Sequence, residues 1–179
     1  MDTKHLESIA EEYISYRLQR AGVLVAKPKF DVHGTDLLAF SDMRDGVKFC
    51  RVQCKGRSIA HSKSDIKIPI DYVTPGFVVA LHLDLGDKQL AYLFFATDIR
   101  RWRKNSNNEF RLSLVSTTVE ENLRTHLLDD NKMDVMKSVI ANAEVAQEYG
   151  QLVRGSGAAQ VSLTVSSRGN GTSRSKKHA

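Results

Sequence analysis

The sequence predicts an α/β domain in which one helix precedes a run of short strands and further helices follow. Three observations support this fold class: apolar side chains recur at helical spacing near the N-terminus, short apolar runs separated by turn residues fill the middle, and helical spacing returns in the last third. With 179 residues, 41% hydrophobic and 26% charged, the chain has the composition of a soluble globular protein and is long enough for one domain with a substantial core.

The first element is predicted to be a helix from about Thr3 to Ala21, and Gly22 is a suitable stop. Glu7 and Glu11 fall within or beside the apolar face of this helix, whereas Glu12 points to solvent. The apolar positions that define that face are Leu6, Ile9, Ala10, Tyr13, Ile14 and Leu18.

Short strand candidates follow the helix, separated by turn signals such as Asp45-Gly46 and Pro75-Gly76. The segment 56–75 is expected to be extended, because its isoleucines alternate. Residues 118–152 predict two helices with a break near Asp129–Asn131. The predicted strands are Val23 to Ala26, Asp36 to Phe40, Val47 to Lys55, Gly76 to Leu83, Gln89 to Phe95 and about Phe110 to Leu114.

The two cysteines, Cys50 and Cys54, lie on one predicted strand. Positions four apart on a strand are separated by roughly 13 Å, which is too far for one disulfide or one metal ion. They are expected to be buried free thiols.

Charge is unevenly distributed along the chain. The net charge is +5, but residues 149–179 contain five bases and no acid, so the first 148 residues hold 21 bases and 21 acids. We therefore expect a domain over residues 1–153 and a flexible basic tail, rich in serine and glycine, over residues 154–179. The positive charge favours an anionic partner, and nucleic acid is the first candidate.

Nothing in the sequence predicts a membrane protein. The longest apolar run, Leu90 to Ala96, has seven residues, far fewer than the roughly 20 that span a bilayer. The N-terminal residues lack the layout of a secretory signal, so the expected location is the cytoplasm.

A candidate catalytic site combines four residues of the first half of the chain. Alternation along the third predicted strand places Gln53 and Lys55 on one face, next to a strand that begins with Asp36. Asp36 would be the central ligand of a divalent cation, Gln53 would add an amide oxygen, and Glu11 would reach in from the helix. Lys55 would be the cation that stabilises charge developing on a phosphate.

This order of residues resembles the core of the PD-(D/E)XK, or restriction-endonuclease-like, nucleases, and among them the small archaeal Holliday-junction resolvases, over about residues 5–115. The resemblance implies a mixed sheet flanked by helices, Mg2+ or Mn2+ as cofactor, hydrolysis of DNA phosphodiesters and a homodimer. Carried over, the motif aspartate is Asp36, the acid position is Gln53 and the motif lysine is Lys55. The helical signature of the family selects Glu11, eleven residues before Gly22, and leaves Glu7 as the alternative.

Two basic stretches of the domain are candidate nucleic-acid contacts. One surrounds the Gln53 strand, and the other, from Arg100 to Arg111, includes the only tryptophan, which could stack on a base or anchor the packing instead. The candidate contacts are Arg57, Lys63, Lys67, Arg101, Trp102, Arg103 and Lys104.

A second hypothesis keeps the fold without the catalysis. Gln53 replaces the usual acid of the motif, which removes one negative ligand and should weaken metal affinity. The chain could therefore be a non-catalytic nucleic-acid-binding or assembly module. The sequence also leaves open which DNA structure or sequence is cut, and whether the substrate is DNA or RNA.

Overall fold

The computed structural model describes residues 3–29, 33–40, 48–59 and 63–143. The helices in this part of the chain are α1 (Thr3–Arg20), α2 (Ala96–Ile99), α3 (Val119–Leu123) and α4 (Asp130–Ala141). The strands are β1 (Leu24–Ala26), β2 (Leu37–Phe40), β3 (Phe49–Ser58), β4 (Lys63–Pro69), β5 (Phe77–Asp84), β6 (Gln89–Phe95), β7 (Arg103–Lys104) and β8 (Glu109–Val115).

The main sheet has five strands in the order β1-β2-β3-β5-β6. The β3–β5 pair is parallel, and the other three pairs are antiparallel. The expected α/β fold with a mixed sheet flanked by helices is therefore confirmed. The strands predicted at the first five positions all belong to this sheet, with ends that differ by at most three residues.

Helix α1 packs across β3 through the face that its apolar spacing predicted. Ala10, Ile14 and Leu18 are fully buried, whereas Glu12 is exposed. The closest approach is at Gly56, where an added Cβ would lie 2.0 Å from the backbone oxygen of Leu6. Because that contact is with backbone, only glycine allows α1 to lie this close to the strand.

A second sheet, in the order β4-β8-β7, packs on the face of the main sheet that is opposite to α1. Ile66 and Ile68 of β4 share a buried cluster with Phe77 and Leu81 of β5 and with Phe110 of β8. Within the segment 56–75 that was expected to be extended, Lys63–Pro69 form strand β4, whereas Ile70–Tyr72 form a 3-10 turn. Sequence analysis did not predict the three-stranded sheet as a separate layer.

Strand β3 is buried on both of its faces over most of its length. Cys50 and Cys54 face α1 and are buried free thiols, as expected. Arg51 and Gln53, on the other face, are only 9% and 8% exposed. The polar face of β3 is therefore covered by protein over most of its length.

The C-terminal helices begin as the sequence predicts. Short α3 and a 3-10 turn at Arg124–His126 precede α4, whose first turn is capped by Asp129, with Oδ1 accepting a 2.8 Å hydrogen bond from the Lys132 backbone N–H. Helix α4 ends at Ala141. Asn142 and Ala143, which were also predicted to be helical, lie beyond the end of α4. Residues 144–152 of the predicted helical segment, and the predicted tail 154–179, lie outside the described residues. None of the described helices has the length and apolar character needed to cross a bilayer.

Candidate active site

Strands β2 and β3 separate at Asp36, and this fork is the centre of the candidate site. The last paired position is Leu37 opposite Val52. Just before it, the Asp36 N–H donates a 3.0 Å hydrogen bond to the Val52 carbonyl. The Asp36 side chain then accepts a 2.6 Å hydrogen bond from the Cys54 N–H. Backbone and side chain together fix this carboxylate at the edge of β3.

Glu11 of α1 forms an ion pair with Lys27. Lys27 follows the end of β1, and its side chain is 68% exposed whereas that of Glu11 is 20% exposed. The hydrogen bond and charge of Glu11 raise the pKa of Lys27, and the charge of Asp36 adds to this effect. Lys27 therefore lies within electrostatic reach of two carboxylates of the candidate site.

The same charged side chains affect the pKa of the Cys54 thiol. Burial raises the pKa of Cys54 well above its usual range, and the negative charges of Asp36 and Glu11 raise it further. The positive charges of Lys55 and Lys27 act in the opposite direction. The fold thus gathers two acids and two bases around one position of β3.

Glu7 contacts the candidate lysine directly. Its Oε1 lies 3.4 Å from Lys55 Nζ and 3.3 Å from Arg57 Nη1. The side chains of Lys55 and Arg57 are both 18% exposed, so the ion pairs are partly shielded from water. The two acids that sequence analysis weighed therefore have different partners, since Glu7 restrains Lys55 and Glu11 lies beside Lys27 and Asp36.

Gln53 is held in a narrow space below a tight turn. Gly34 has a φ of +65°, and a Cβ there would lie 2.7 Å from Gln53 Nε2 and 2.8 Å from the Tyr72 ring. Gln53 Oε1 is buried and has no hydrogen-bond partner among the described residues. A buried acceptor without a partner costs free energy, so this oxygen suits a ligand.

Three residues of this arrangement were not predicted from the sequence: Lys27, Gly34 and Tyr72. Gly34 had a recognisable signal, because it lies in a polar turn two residues before Asp36. Lys27 and Tyr72 had none, since their proximity to the site depends on how distant segments pack.

The donor set fits a hard divalent cation. Asp36 and Glu11 offer carboxylate oxygens and Gln53 offers an amide oxygen, which are the ligand types that Mg2+ prefers. No group of three or more His, Cys, Asp or Glu side chains forms a metal cluster within the described residues. A site with two carboxylates and one amide does not require such a group.

The candidate nucleic-acid contacts divide into two groups. Arg57 is engaged with Glu7 and with the carbonyl of Gly56 at 2.7 Å. Trp102 packs edge-on against Phe94, with ring centroids 5.2 Å apart, and lines a cleft of about 380 Å³ together with Arg101. The structure therefore gives Trp102 a packing contact. The exposed candidates are Lys63, Lys67, Arg101, Arg103 and Lys104.

Comparison with known proteins identifies a similar fold. No protein-family model matches the sequence, and no curated protein matches it. Among solved structures, the chain is similar to a bacterial homing endonuclease, I-Ssp6803I, with a TM-score of 0.51 and 13% sequence identity. The match covers 79% of this chain and 98% of that one. The two proteins therefore share an α/β fold.

Proposed function

We propose that this protein is a metal-dependent endonuclease that hydrolyses DNA phosphodiester bonds. The observation that carries the proposal is the fork at Asp36, whose carboxylate is fixed by the Cys54 N–H. The charges of Asp36, Glu11 and Lys55 all act on Cys54. The amide oxygen of the preceding residue, Gln53, is buried without a hydrogen-bond partner among the described residues. The similarity of the fold to that of a homing endonuclease supports the same assignment.

Asp36, Glu11 and Gln53 would hold Mg2+ or Mn2+ through oxygen atoms. When bound, such an ion activates a water molecule and offsets negative charge on the scissile phosphate. Lys55 would stabilise the charge that develops on the phosphate, since it directly follows Cys54, the residue to which Asp36 is hydrogen-bonded. Glu7 restrains that ammonium through a 3.4 Å contact, which limits the conformations that Lys55 must lose on binding substrate.

A non-catalytic nucleic-acid-binding module is the second candidate, and the Glu11–Lys27 ion pair favours it. Lys27 neutralises one of the two carboxylates, while Gln53 already replaces a third acid. A site with so little negative charge binds metal weakly, so a module that binds DNA without cutting it is consistent with the same geometry.

One assay separates the two candidates. The protein is incubated with linear, nicked, branched and single-stranded DNA in Mg2+ or Mn2+, beside Asp36→Asn, Lys55→Ala and the control Lys137→Ala on exposed α4. The endonuclease predicts cleavage by the parent and the control, and a loss of at least about 100-fold in both site variants.

The other outcomes are equally specific. Binding without cleavage on every substrate would support the module. Undiminished cleavage by both site variants would exclude the proposed site.

A further inference from the structure

The outer face of the second sheet carries cations in register across all three strands. Lys67 of β4 lies opposite Arg111 of β8, and Arg111 lies opposite Arg103 of β7. All three are exposed, whereas Ile66 and Ile68 of β4 point to the core. Lys63 lies four residues before Lys67 on β4, so the two side chains lie on the same face of the sheet. We call this surface, made of Lys63, Lys67, Arg103 and Arg111, the basic sheet face.

Ion pairing within the protein neutralises only part of this charge. Asp65 forms a salt bridge with Arg111, with Oδ2 2.6 Å from Nη2, and its Oδ1 accepts a 2.7 Å hydrogen bond from the Ser113 hydroxyl. Among the described residues, neither Lys67 nor Arg103 forms a salt bridge with a carboxylate. Like charges directly opposite each other destabilise a sheet. A bound anion would reduce this repulsion.

The spacing of the cations suits a polyanion better than a single small anion. Neighbouring strands are about 4.8 Å apart, so the row from Lys67 to Arg103 spans about 10 Å. Lys63 and Lys67 are about 13 Å apart along the strand. One strand of duplex DNA presents a phosphate every 3.4 Å or so of helix axis, which places about three phosphates along the row.

The basic sheet face is connected to the candidate active site through Arg57. Arg57 Nη1 lies 3.3 Å from Glu7, whose carboxylate also contacts Lys55. Arg57 Nε donates a 3.5 Å hydrogen bond to the backbone carbonyl of Asp65, on β4. Arg57 therefore joins β4 to the Glu7–Lys55 pair of the candidate site.

We propose that the basic sheet face is a docking surface for the phosphate backbone of duplex DNA. This inference rests on the proposed function, since it supplies the contacts that hold the substrate of that site. The proposed binding is independent of base sequence, because the contacts are charges directed at phosphates.

The test measures binding to a short labelled duplex without a cleaving metal, by fluorescence anisotropy, between about 50 and 200 mM salt. Lys67→Gln combined with Arg103→Gln removes two cations from the face. Arg124→Gln combined with Lys137→Gln removes the same charge from exposed positions elsewhere and serves as the control. Arg111 is left intact, because its removal would leave Asp65 without its ion pair.

The face variant is expected to lower the slope of log affinity against log salt by about 1.8, since each neutralised phosphate contributes about 0.9. The control is expected to keep the parent slope. Lys67→Arg with Arg103→Lys preserves charge and should also keep it, which separates a lost contact from a folding defect.

Each remaining outcome decides the proposal. An unchanged slope in the face variant, an equal loss in the control, or no binding of duplex by the parent would overturn it. Binding that follows the expected pattern from a protein that cuts no DNA would leave the docking surface in place and reject the endonuclease. Cleavage by the parent with an unchanged slope would do the reverse.

Discussion

The carboxylate of Asp36 accepts a 2.6 Å hydrogen bond from the backbone N–H of Cys54. This contact joins the start of β2 to the exact stretch of β3 that β2 no longer covers, because the last paired position is Leu37 opposite Val52. One side chain therefore completes the hydrogen bonding of a strand edge and directs a negative charge into the candidate site.

Asp36 should show separate structural and chemical roles. Asp36→Ala leaves the buried Cys54 N–H without an acceptor and is expected to lower the free energy of unfolding by about 1–3 kcal/mol. Asp36→Asn keeps an acceptor oxygen and should cost less, while both variants lose Mn2+ binding. Urea unfolding and Mn2+ titration measure the two effects. An equal loss of stability in both variants would contradict the structural role.

Lys27 should compete with a metal ion for Glu11. Removing the ammonium in Lys27→Gln is expected to tighten Mn2+ binding by up to about fivefold, since a partly exposed ion pair contributes about 0–1 kcal/mol. Calorimetric titration of the protein with Mn2+ in the absence of DNA measures the change, and Lys137→Gln is the matched control. Weaker Mn2+ binding in Lys27→Gln would show instead that Lys27 supports the site.

Replacing Gly34 with alanine is expected to weaken Mn2+ binding, an effect that its positive φ alone would not produce. Gly34 and Gly22 both have positive φ, +65° and +81°, so alanine at either position costs about 1–2 kcal/mol. Only at Gly34 would the new Cβ meet Gln53 and Tyr72, whereas nothing lies within 4 Å at Gly22. Gly34→Ala should therefore lose Mn2+ binding and Gly22→Ala should retain it. Comparable Mn2+ affinities in the two variants would mean that Gln53 is not a ligand.

His82 of β5 should make stability depend on pH. It is buried against the Tyr13 ring, and burial lowers its pKa, while Gln89 and Asp84 raise it by less. The unfolded chain, in which His82 has a pKa near 6.5, then binds more protons than the folded chain, so the free energy of unfolding rises with pH. The contribution is complete above that value and is lost as the pH falls below it.

The corresponding variant is His82→Gln. Between about pH 7 and pH 5 its free energy of unfolding should decrease less than that of the parent, as measured by urea unfolding. His5→Gln, at an exposed position of α1, should follow the parent. A decrease in His82→Gln as large as that of the parent would exclude His82 as the source. Burial also lowers the pKa of His126, so part of the slope should persist.

The sequence by itself determined the order of α1 and the main-sheet strands, and the main candidate residues. The spacing of Leu6, Ala10 and Ile14 is a local pattern, and the alternation around Cys54 is another, so each could be recognised without a partner segment. The tertiary structure decided the rest. Lys27 beside Glu11, Gly34 close to Gln53 and the cations of the second sheet in one row all depend on contacts between distant segments. Sequence periodicity carries no information about such contacts, because they are set by how the sheets and α1 pack.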